Sequence, residues 1–447
     1  MKDMTKGSPA KLILFFTIPL FLGNVVQQFY NLADMKLVGY YLGTDMFAAV
    51  GAATPIAHLF ISLLNGMCSG FSLMIAKFFG ANDENGTKHS IAACMILSAF
   101  TAIMLTVLGV LFAEPVLRFL NTPEQILKPA CEYLTIIFAG MTFTVMYNMC
   151  AGILRAFGNS KIPLYFLILS AMFNIGLDIV FIKYLHFGVK GAALATVIAQ
   201  SLAGILCFIY MMLHCPEVRV KRAHYAVPVK LLGDMYAQGL SMGFMFAIVN
   251  FGTVFLQSAI NGFGTDIIAA HTAARKISDV YMMPLSSFGV GAATFASQNY
   301  GAGKYDRIKK GVFETLLMTF VWSALVVVVT YLFARPIITM MASTTEPAIV
   351  DTAVRYLRWD TPFYCVLCIV LVVRNVLQGL NVKIMTLFSS VLELIGKVVV
   401  VLVFAPKIGY FAVILSEPLI WIVMMFWLIL TFFVNWKKIV ANGPKVA

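Results

Sequence analysis

The chain has 447 residues, of which 61% are hydrophobic and only 12% are charged, and its formal net charge is +12 at pH 7. A soluble domain carries about twice that charged fraction, so the composition excludes an ordinary soluble protein. The basic residues are spread through short loops, as in the cytoplasmic loops of membrane proteins. We therefore expect no nucleic-acid partner.

The first element is predicted from the N-terminal stretch MKDMTKGSPAKLILFF, which is basic and then apolar, as in a signal peptide. No small-residue cleavage site follows, and the apolar run continues through Gln27 and Gln28 into Asp34. We interpret this segment as the first retained transmembrane span.

Apolar runs of about 20 residues, long enough to cross hydrocarbon, recur along the whole chain. Turn and charge clusters predict twelve spans, near residues 10–33, 46–78, 90–113, 128–155, 162–183, 189–213, 231–259, 267–298, 311–334, 350–378, 384–405 and 408–434. The hydrophilic segment 214–230 divides them six and six. The predicted organisation is an N-lobe (1–213), a cytoplasmic linker (214–230) and a C-lobe (231–447). Lys and Arg are richer in the loops on the side of the termini, which predicts cytoplasmic N- and C-termini.

The two halves resemble each other in sequence. The segment GTDMFAAVGAATPI (43–56) aligns with GTDIIAAHTAARKI (264–277), and the offset of 221 holds without a gap to residues 81 and 302. This similarity predicts duplication of a six-helix unit, with both copies entering the membrane in the same direction. Parallel repeats of this kind occur in secondary transporters that rock two bundles around a central site. A channel built from one chain is the structural alternative.

Motifs for enzymatic chemistry are missing from the sequence. GAGK (301–304) lacks both the upstream glycine and the Ser/Thr of a nucleotide-binding loop, and the six histidines are scattered. We expect no enzyme and no cofactor, and any uphill transport would use an ion gradient. The eight cysteines lie mostly in apolar segments and are predicted to be buried free thiols.

Polar groups inside the spans of the first half form a small set. Asn174 and Asp178 share one face of span 5, Asp34 ends span 1, and Thr196 lies on span 6. Two carboxylates, an amide oxygen and a hydroxyl are hard-oxygen ligands that suit Na⁺. They suit a proton site equally well, because burial and a neighbouring negative charge favour a protonated acid. The competing interpretations are that Asp34 pairs with Lys36 or Lys11, that Asp178 reaches Lys183, and that Thr196 bonds its own helix backbone.

The second half does not repeat these acids, because Phe255, Gly396 and Val400 occupy the equivalent positions. Any ion site is therefore predicted to be one-sided. Glu393 and Lys397 have the i,i+4 order of a helical salt bridge, which we expect to be structural. The second half also carries Arg275, Asp279, Arg374 and Glu417 in its spans. Gln27, Arg374, Glu393 and Glu417 are the candidates for a substrate path.

The stretches FYNLADMKLVGYYLGTDMFAAVG, LRAFGNSKIPL, NIGLD and GAALAT, in this order, resemble the multidrug and toxic compound extrusion (MATE) transporters. The resemblance implies an all-α fold of twelve transmembrane helices in two pseudo-symmetric six-helix bundles arranged as a V. It places cation coupling in the first lobe, as in DinF-like members, at Asp34, Asn174, Asp178 and Thr196, with Pro19 as the helix-bending residue. These four residues would be the ligands if Na⁺ is the coupling ion. Some branches use acids on helices 7 and 10. Here span 7 has only Asp234 at its edge, and span 10 begins with Asp351 and Asp360 without an interior acid.

The resemblance implies a plasma-membrane antiporter that exports cationic or amphipathic drug-like molecules in exchange for Na⁺ or H⁺. The coupling ion is cargo and not a resident cofactor. Membrane lipids are the other expected partners, and we expect a monomer. The alternative within the same superfamily is a flippase for lipid-linked precursors or a polysaccharide exporter.

Overall fold

The computed structural model describes residues 3–342 and 344–443, and this part of the chain is helical with no β-strand. The α-helices are α1 (Pro9–Leu42), α2 (Thr44–Gly80), α3 (Glu84–Phe119), α4 (Glu124–Ala139), α5 (Met141–Ala156), α6 (Lys161–Asp178), α7 (Val189–His214), α8 (Val229–Ile260), α9 (Thr265–Gly301), α10 (Tyr305–Ala342), α11 (Pro347–Asp360), α12 (Tyr364–Gly379), α13 (Lys383–Val399), α14 (Ala405–Ile408) and α15 (Tyr410–Asn442). Two π-helical turns, Ile179–Tyr184 and Val400–Phe404, extend α6 and α13.

The helices have the length and composition of membrane spans. Within the described residues ten helical segments are long and apolar enough to cross a bilayer, and the bent pair α4–α5 adds an eleventh. Helix α9 is not among them, but it is 37 residues long and matches α2 in length. The ten segments, the bent pair and α9 make the twelve long helical segments that the sequence predicts. The all-α polytopic fold class is therefore confirmed.

The duplication is visible in the backbone as well as in the sequence. Helices α2 and α9 both follow a glycine with positive φ, 85° at Gly43 and 94° at Gly264. A second such pair, Gly188 (60°) and Gly409 (63°), precedes α7 and α15. Positive φ is strained for residues with a Cβ, so glycine at these equivalent places keeps the same turn in both copies.

Two of the predicted spans are interrupted by a break in the helix. The span near 128–155 bends by 44° between α4 and α5, at Gly140. A Cβ at Gly140 would lie 2.3 Å from Val197 Cγ2, so α7 packs against the bend closely enough to require glycine. The span near 350–378 breaks at the equivalent place, where the turn Thr361–Phe363 contains Pro362 and separates α11 from α12.

The described residues pack into two compact units. The first consists of residue 3 with residues 18–243, and the second of residues 4–17, 244–342 and 344–443. The division falls inside α8 because the beginning of this helix packs tightly on α2. A Cβ at Gly66 would lie 2.5 Å from the Met242 carbonyl oxygen, and one at Gly70 would lie 2.7 Å from that of Gln238. The predicted lobes, 1–213 and 231–447, have different limits and stay a prediction.

Candidate functional site

Asp34 lies inside helix α1 and not at its end. The helix continues without a break from Pro9, across Pro19, to Leu42, and Gly43 ends it. The sequence-based end near residue 33 is therefore wrong. Asp34 is 7% exposed, and its carboxyl lies in a buried polar cluster of the first unit. The charge therefore does not mark the end of the helix.

Asn174 and Asp178 come from the inward face of α6. Its exposed side chains include the apolar residues Tyr165, Met172 and Phe173, whereas Asn174 and Asp178 are buried to 1% and 0% exposure. Asp178 is the last α-helical residue, and the π-helical turn begins at Ile179. Such turns inside helices occur frequently at functional sites.

The structure brings all four predicted residues of the first half together. The Asp34 and Asp178 carboxyls are within hydrogen-bonding reach of each other. Asn174 Nδ2 lies 3.5 Å from Thr196 Oγ1. With the Asn174 amide turned over, its nitrogen donates to Asp178 Oδ2 at 3.3 Å and its oxygen accepts from the Thr196 backbone nitrogen at 3.2 Å. In either orientation Asn174 joins α6 to α7.

Further groups complete this first-unit site. The Tyr30 hydroxyl, one turn before Asp34 on α1, is within hydrogen-bonding reach of Thr196. The Oδ1 atoms of both aspartates are buried and have no hydrogen-bond partner among the described residues. The cluster therefore presents two carboxyl oxygens with free lone pairs, which is the arrangement that a small cation or a proton requires. The sequence indicates no role for Tyr30.

The competing pairings are not found in the described part of the chain. Neither Asp34 nor Asp178 forms an ion pair there. The Lys183 ammonium lies over two aromatic rings instead, 6.0 Å from the centroid of Tyr41 and 5.2 Å from that of Tyr184. The first-unit site is thus an acid pair without a protein cation beside it.

In the second unit the predicted salt bridge is confirmed, because Lys397 Nζ lies 2.9 Å from Glu393 Oε1. Arg374 Nη1 is 3.8 Å from Glu393 Oε2. Glu417 is paired with Arg275, whose Nη1 lies 2.6 Å from Glu417 Oε1. Gln27, the remaining substrate-path candidate, is exposed on α1 and does not join a buried cluster.

The sequence-based analysis missed one buried acid, Asp360 at the end of α11. It is 0% exposed, and its Oδ2 accepts a hydrogen bond from Ser278 Oγ at 3.3 Å. Span 10 therefore does contain an interior acid. The signal that points to it is Pro362, which breaks the span and places Asp360 at the junction of α11 and α12 in the interior of the second unit.

Among the residues that the structure describes, no three His, Cys, Asp or Glu side chains are grouped to hold a metal ion. The first-unit site has two carboxyls, one amide and the hydroxyls of Thr196 and Tyr30. This oxygen set suits a transported monovalent cation or a proton.

Comparisons with known proteins agree with this architecture. The MatE family model matches residues 19–180 and again residues 241–404, which are the two copies of the repeat. The probable multidrug resistance protein YoeA of Bacillus subtilis is 28% identical over 76% of this chain and 75% of its own length. The probable multidrug resistance protein YpnP of the same organism is 26% identical over 88% of this chain and 87% of its own.

A solved structure shares the fold over nearly the whole chain. It is an outward-facing multidrug resistance MATE family transporter of the MOP superfamily, with a TM-score of 0.88 and 23% sequence identity. The likeness covers 98% of each chain.

Proposed function

The chain belongs to the MatE family, and on this premise we propose that it is a secondary active multidrug efflux antiporter. It exports cationic or amphipathic small molecules in exchange for Na⁺ or H⁺. Two probable multidrug resistance proteins match 76% and 88% of its length. Transport and not catalysis is therefore its activity, and the flippase alternative is not favoured.

The first-unit site carries the coupling step in this proposal. The supporting observation is the contact between the Asp34 and Asp178 carboxyls, buried without a basic partner in the described structure. Two ionised carboxylates within hydrogen-bonding reach repel each other in a medium of low dielectric constant. A bound Na⁺ or proton removes this repulsion, so cation binding changes the stability of the site.

Coupling requires that the cation and the drug each stabilise a different conformation of the transporter. Cation binding at Asp34 and Asp178 favours the outward-facing conformation, which releases the drug outside. The empty, charged site favours the inward-facing conformation, which binds a new drug molecule from the cytoplasm. Pro19 has no backbone N–H to donate inside α1, which lowers the cost of bending this helix. Since Asp34 is on the same helix, bending of α1 would link the site to the conformational change.

The protein is multi-pass, and we place it in the plasma membrane with both termini in the cytoplasm, as a monomer surrounded by lipid. The basic loops on the side of the termini support this orientation. Its small-molecule substrates are drug-like.

Transport of a cationic dye tests the function. The full chain is reconstituted into liposomes, and ethidium movement is followed after imposing a Na⁺ gradient or a pH gradient. We expect dye movement against its concentration driven by at least one gradient, and its loss when an ionophore dissipates that gradient. Equal rates in protein-free liposomes, or no response to either gradient, would contradict the antiport.

A further inference from the structure

Helix α13 has an inverted distribution of side chains. Its buried residues are all polar or charged: Thr386, Ser389, Ser390, Glu393 and Lys397. Its exposed residues include the large apolar side chains of Ile384, Met385, Phe388, Ile395 and Val399. A lipid-facing apolar surface and an inward polar surface are typical of a helix that lines a path for polar groups.

Arg374 on α12 lies near this polar surface, but the surface does not supply hydrogen-bond acceptors for all of its guanidinium nitrogens. The residue is 8% exposed, and its Nε and Nη1 atoms are buried with no hydrogen-bond partner among the described residues. The nearest carboxylate oxygen, Glu393 Oε2, is 3.8 Å from Nη1, which is beyond hydrogen-bonding distance. Burial removes the hydration of this guanidinium, and its remaining hydrogen bonds and ion pairs compensate only part of the desolvation free energy.

The neighbouring charges do not compensate Arg374. Glu393 is paired mainly with Lys397, whose Nζ donates to Glu393 Oε1 at 2.9 Å and to Thr253 Oγ1 at 3.3 Å. Two cations thus share one carboxylate.

The other acids of this region are engaged elsewhere in the second unit. Glu417 and Asp279 are paired with Arg275, at 2.6 and 3.2 Å, and Asp360 accepts from Ser278. Arg374 is consequently the cation of this region with the poorest compensation.

A neutral polar group lies on the same inward surface. The Ser390 hydroxyl, one helical turn before Glu393, is buried and has no hydrogen-bond partner among the described residues. It can supply a hydrogen bond to a ligand on this surface. The side chains of Arg374 and Glu393 keep exposures of 10% and 11%, so neither is completely enclosed.

We propose that Arg374 binds an anionic group, a carboxylate or phosphate, of an amphipathic molecule. A guanidinium matches the planar oxygens of these groups with charge-assisted hydrogen bonds. Calling this molecule a transported substrate rests on the proposed function. The inference adds amphipaths that carry an acidic group, including zwitterions, to the proposed range of substrates.

A matched pair of fluorescent probes tests the site. The probes are 11-(dansylamino)undecanoic acid and its methyl ester, which differ in the charge of one end. Binding is measured on the purified full chain in nanodiscs of zwitterionic lipid, without any ion gradient. We expect the acid to bind about tenfold more tightly than the ester, the effect of a charge-assisted hydrogen bond.

In Arg374→Gln the affinity for the acid should fall to that for the ester, whose own affinity should not change. Arg374→Lys should keep part of the preference. Arg335→Gln, a change at an exposed arginine of the same unit, should keep all of it. Ester binding and thermal unfolding show whether Arg374→Gln is folded. If it is not folded, the proposal is judged by the preference of Arg374→Lys for the acid over the ester. Equal affinities of the two probes for the wild type, or a preference unchanged by the Arg374 substitutions, would overturn the proposal.

A further binding measurement, in nanodiscs that contain an anionic lipid, identifies the source of the anionic group. If phosphatidylglycerol in the nanodisc weakens acid binding to the wild type, a lipid phosphate occupies the same guanidinium. If it has no effect, a free amphipath is the ligand, and both results support the anion site. Since no gradient is used, failure of ethidium transport would refute the proposed antiport and leave this binding result standing.

Discussion

The carboxyls of Asp34 on α1 and Asp178 on α6 are within hydrogen-bonding reach of each other in the interior of the first unit. No salt bridge to either acid occurs in the described residues, and each has one carboxyl oxygen without a partner. Burying a charge without compensation is costly, so this pair is stable when it shares a proton or binds a cation. Transport coupling in the proposed mechanism depends on this property.

Asn174→Ala should weaken coupling without preventing folding. The amide joins Asp178 to Thr196, and its loss removes one oxygen ligand and the contact that orients Asp178. We expect the Na⁺ or H⁺ concentration for half-maximal transport to rise by about tenfold, the effect of one hydrogen bond to a charged group. Dye transport at a series of cation concentrations measures the shift.

Asn148→Ala is the matched control, because its amide bonds only the Thr144 carbonyl of its own helix. The control should keep the wild-type cation dependence. An equal shift in both variants would show that the effect of Asn174 is a general loss of packing.

Gly66→Ala should destabilise the first unit, because the added Cβ would lie 2.5 Å from the Met242 carbonyl oxygen and 2.6 Å from Gly243 Cα. Backbone atoms cannot move aside as a side chain can, so we expect a loss of about 1–3 kcal/mol. Gly51→Ala on the same helix meets no atom within 4 Å and should be neutral or stabilising by up to about 1 kcal/mol. Thermal unfolding in detergent compares them, and equal transition temperatures would contradict this account of α2–α8 packing.

Glu393→Gln should destabilise the second unit, because it leaves Lys397 and Arg374 buried without a carboxylate. Breaking a buried pair from one side costs about 3–5 kcal/mol. The double substitution Glu393→Gln with Lys397→Met should recover part of this loss. Thermal unfolding measures both variants.

The exposed pair Arg335–Asp351 provides the comparison for this substitution. Asp351→Asn should change stability by less than about 1 kcal/mol, because the pair is largely solvated. If Glu393→Gln is as harmless as Asp351→Asn, the buried charges are compensated by another route.

The helices and their duplication follow from local sequence patterns. Hydropathy predicts the long helices, since a span must satisfy its backbone hydrogen bonds internally. The offset of 221 predicts that equivalent turns recur, and Gly43 and Gly264 do share the same backbone conformation. The bend at Gly140 is not predictable in this way, because it depends on the distant contact with Val197.

The polar residues show the same limit. Asn174 and Asp178 are predictable as neighbours because they are one turn apart on a helix. The burial of Asp360 depends on the break at Pro362 and on the packing of α9 against α11, which hydropathy does not report. Likewise, Arg374 is visible in the sequence as a charge in a span, but its missing hydrogen bonds are visible only in three dimensions.

Cation dependence of drug binding tests the central claim most directly. Ethidium affinity is measured on the purified protein against Na⁺ at fixed pH, and against pH without Na⁺, for the wild type, Asp178→Asn and the exposed-site control Asp45→Asn. Because binding linkage is reciprocal, the wild type and the control should lose affinity at least severalfold as the coupling cation saturates. Asp178→Asn should give a constant affinity in both titrations. An Asp178→Asn protein whose affinity keeps the wild-type cation dependence would contradict coupling at the Asp34–Asp178 pair.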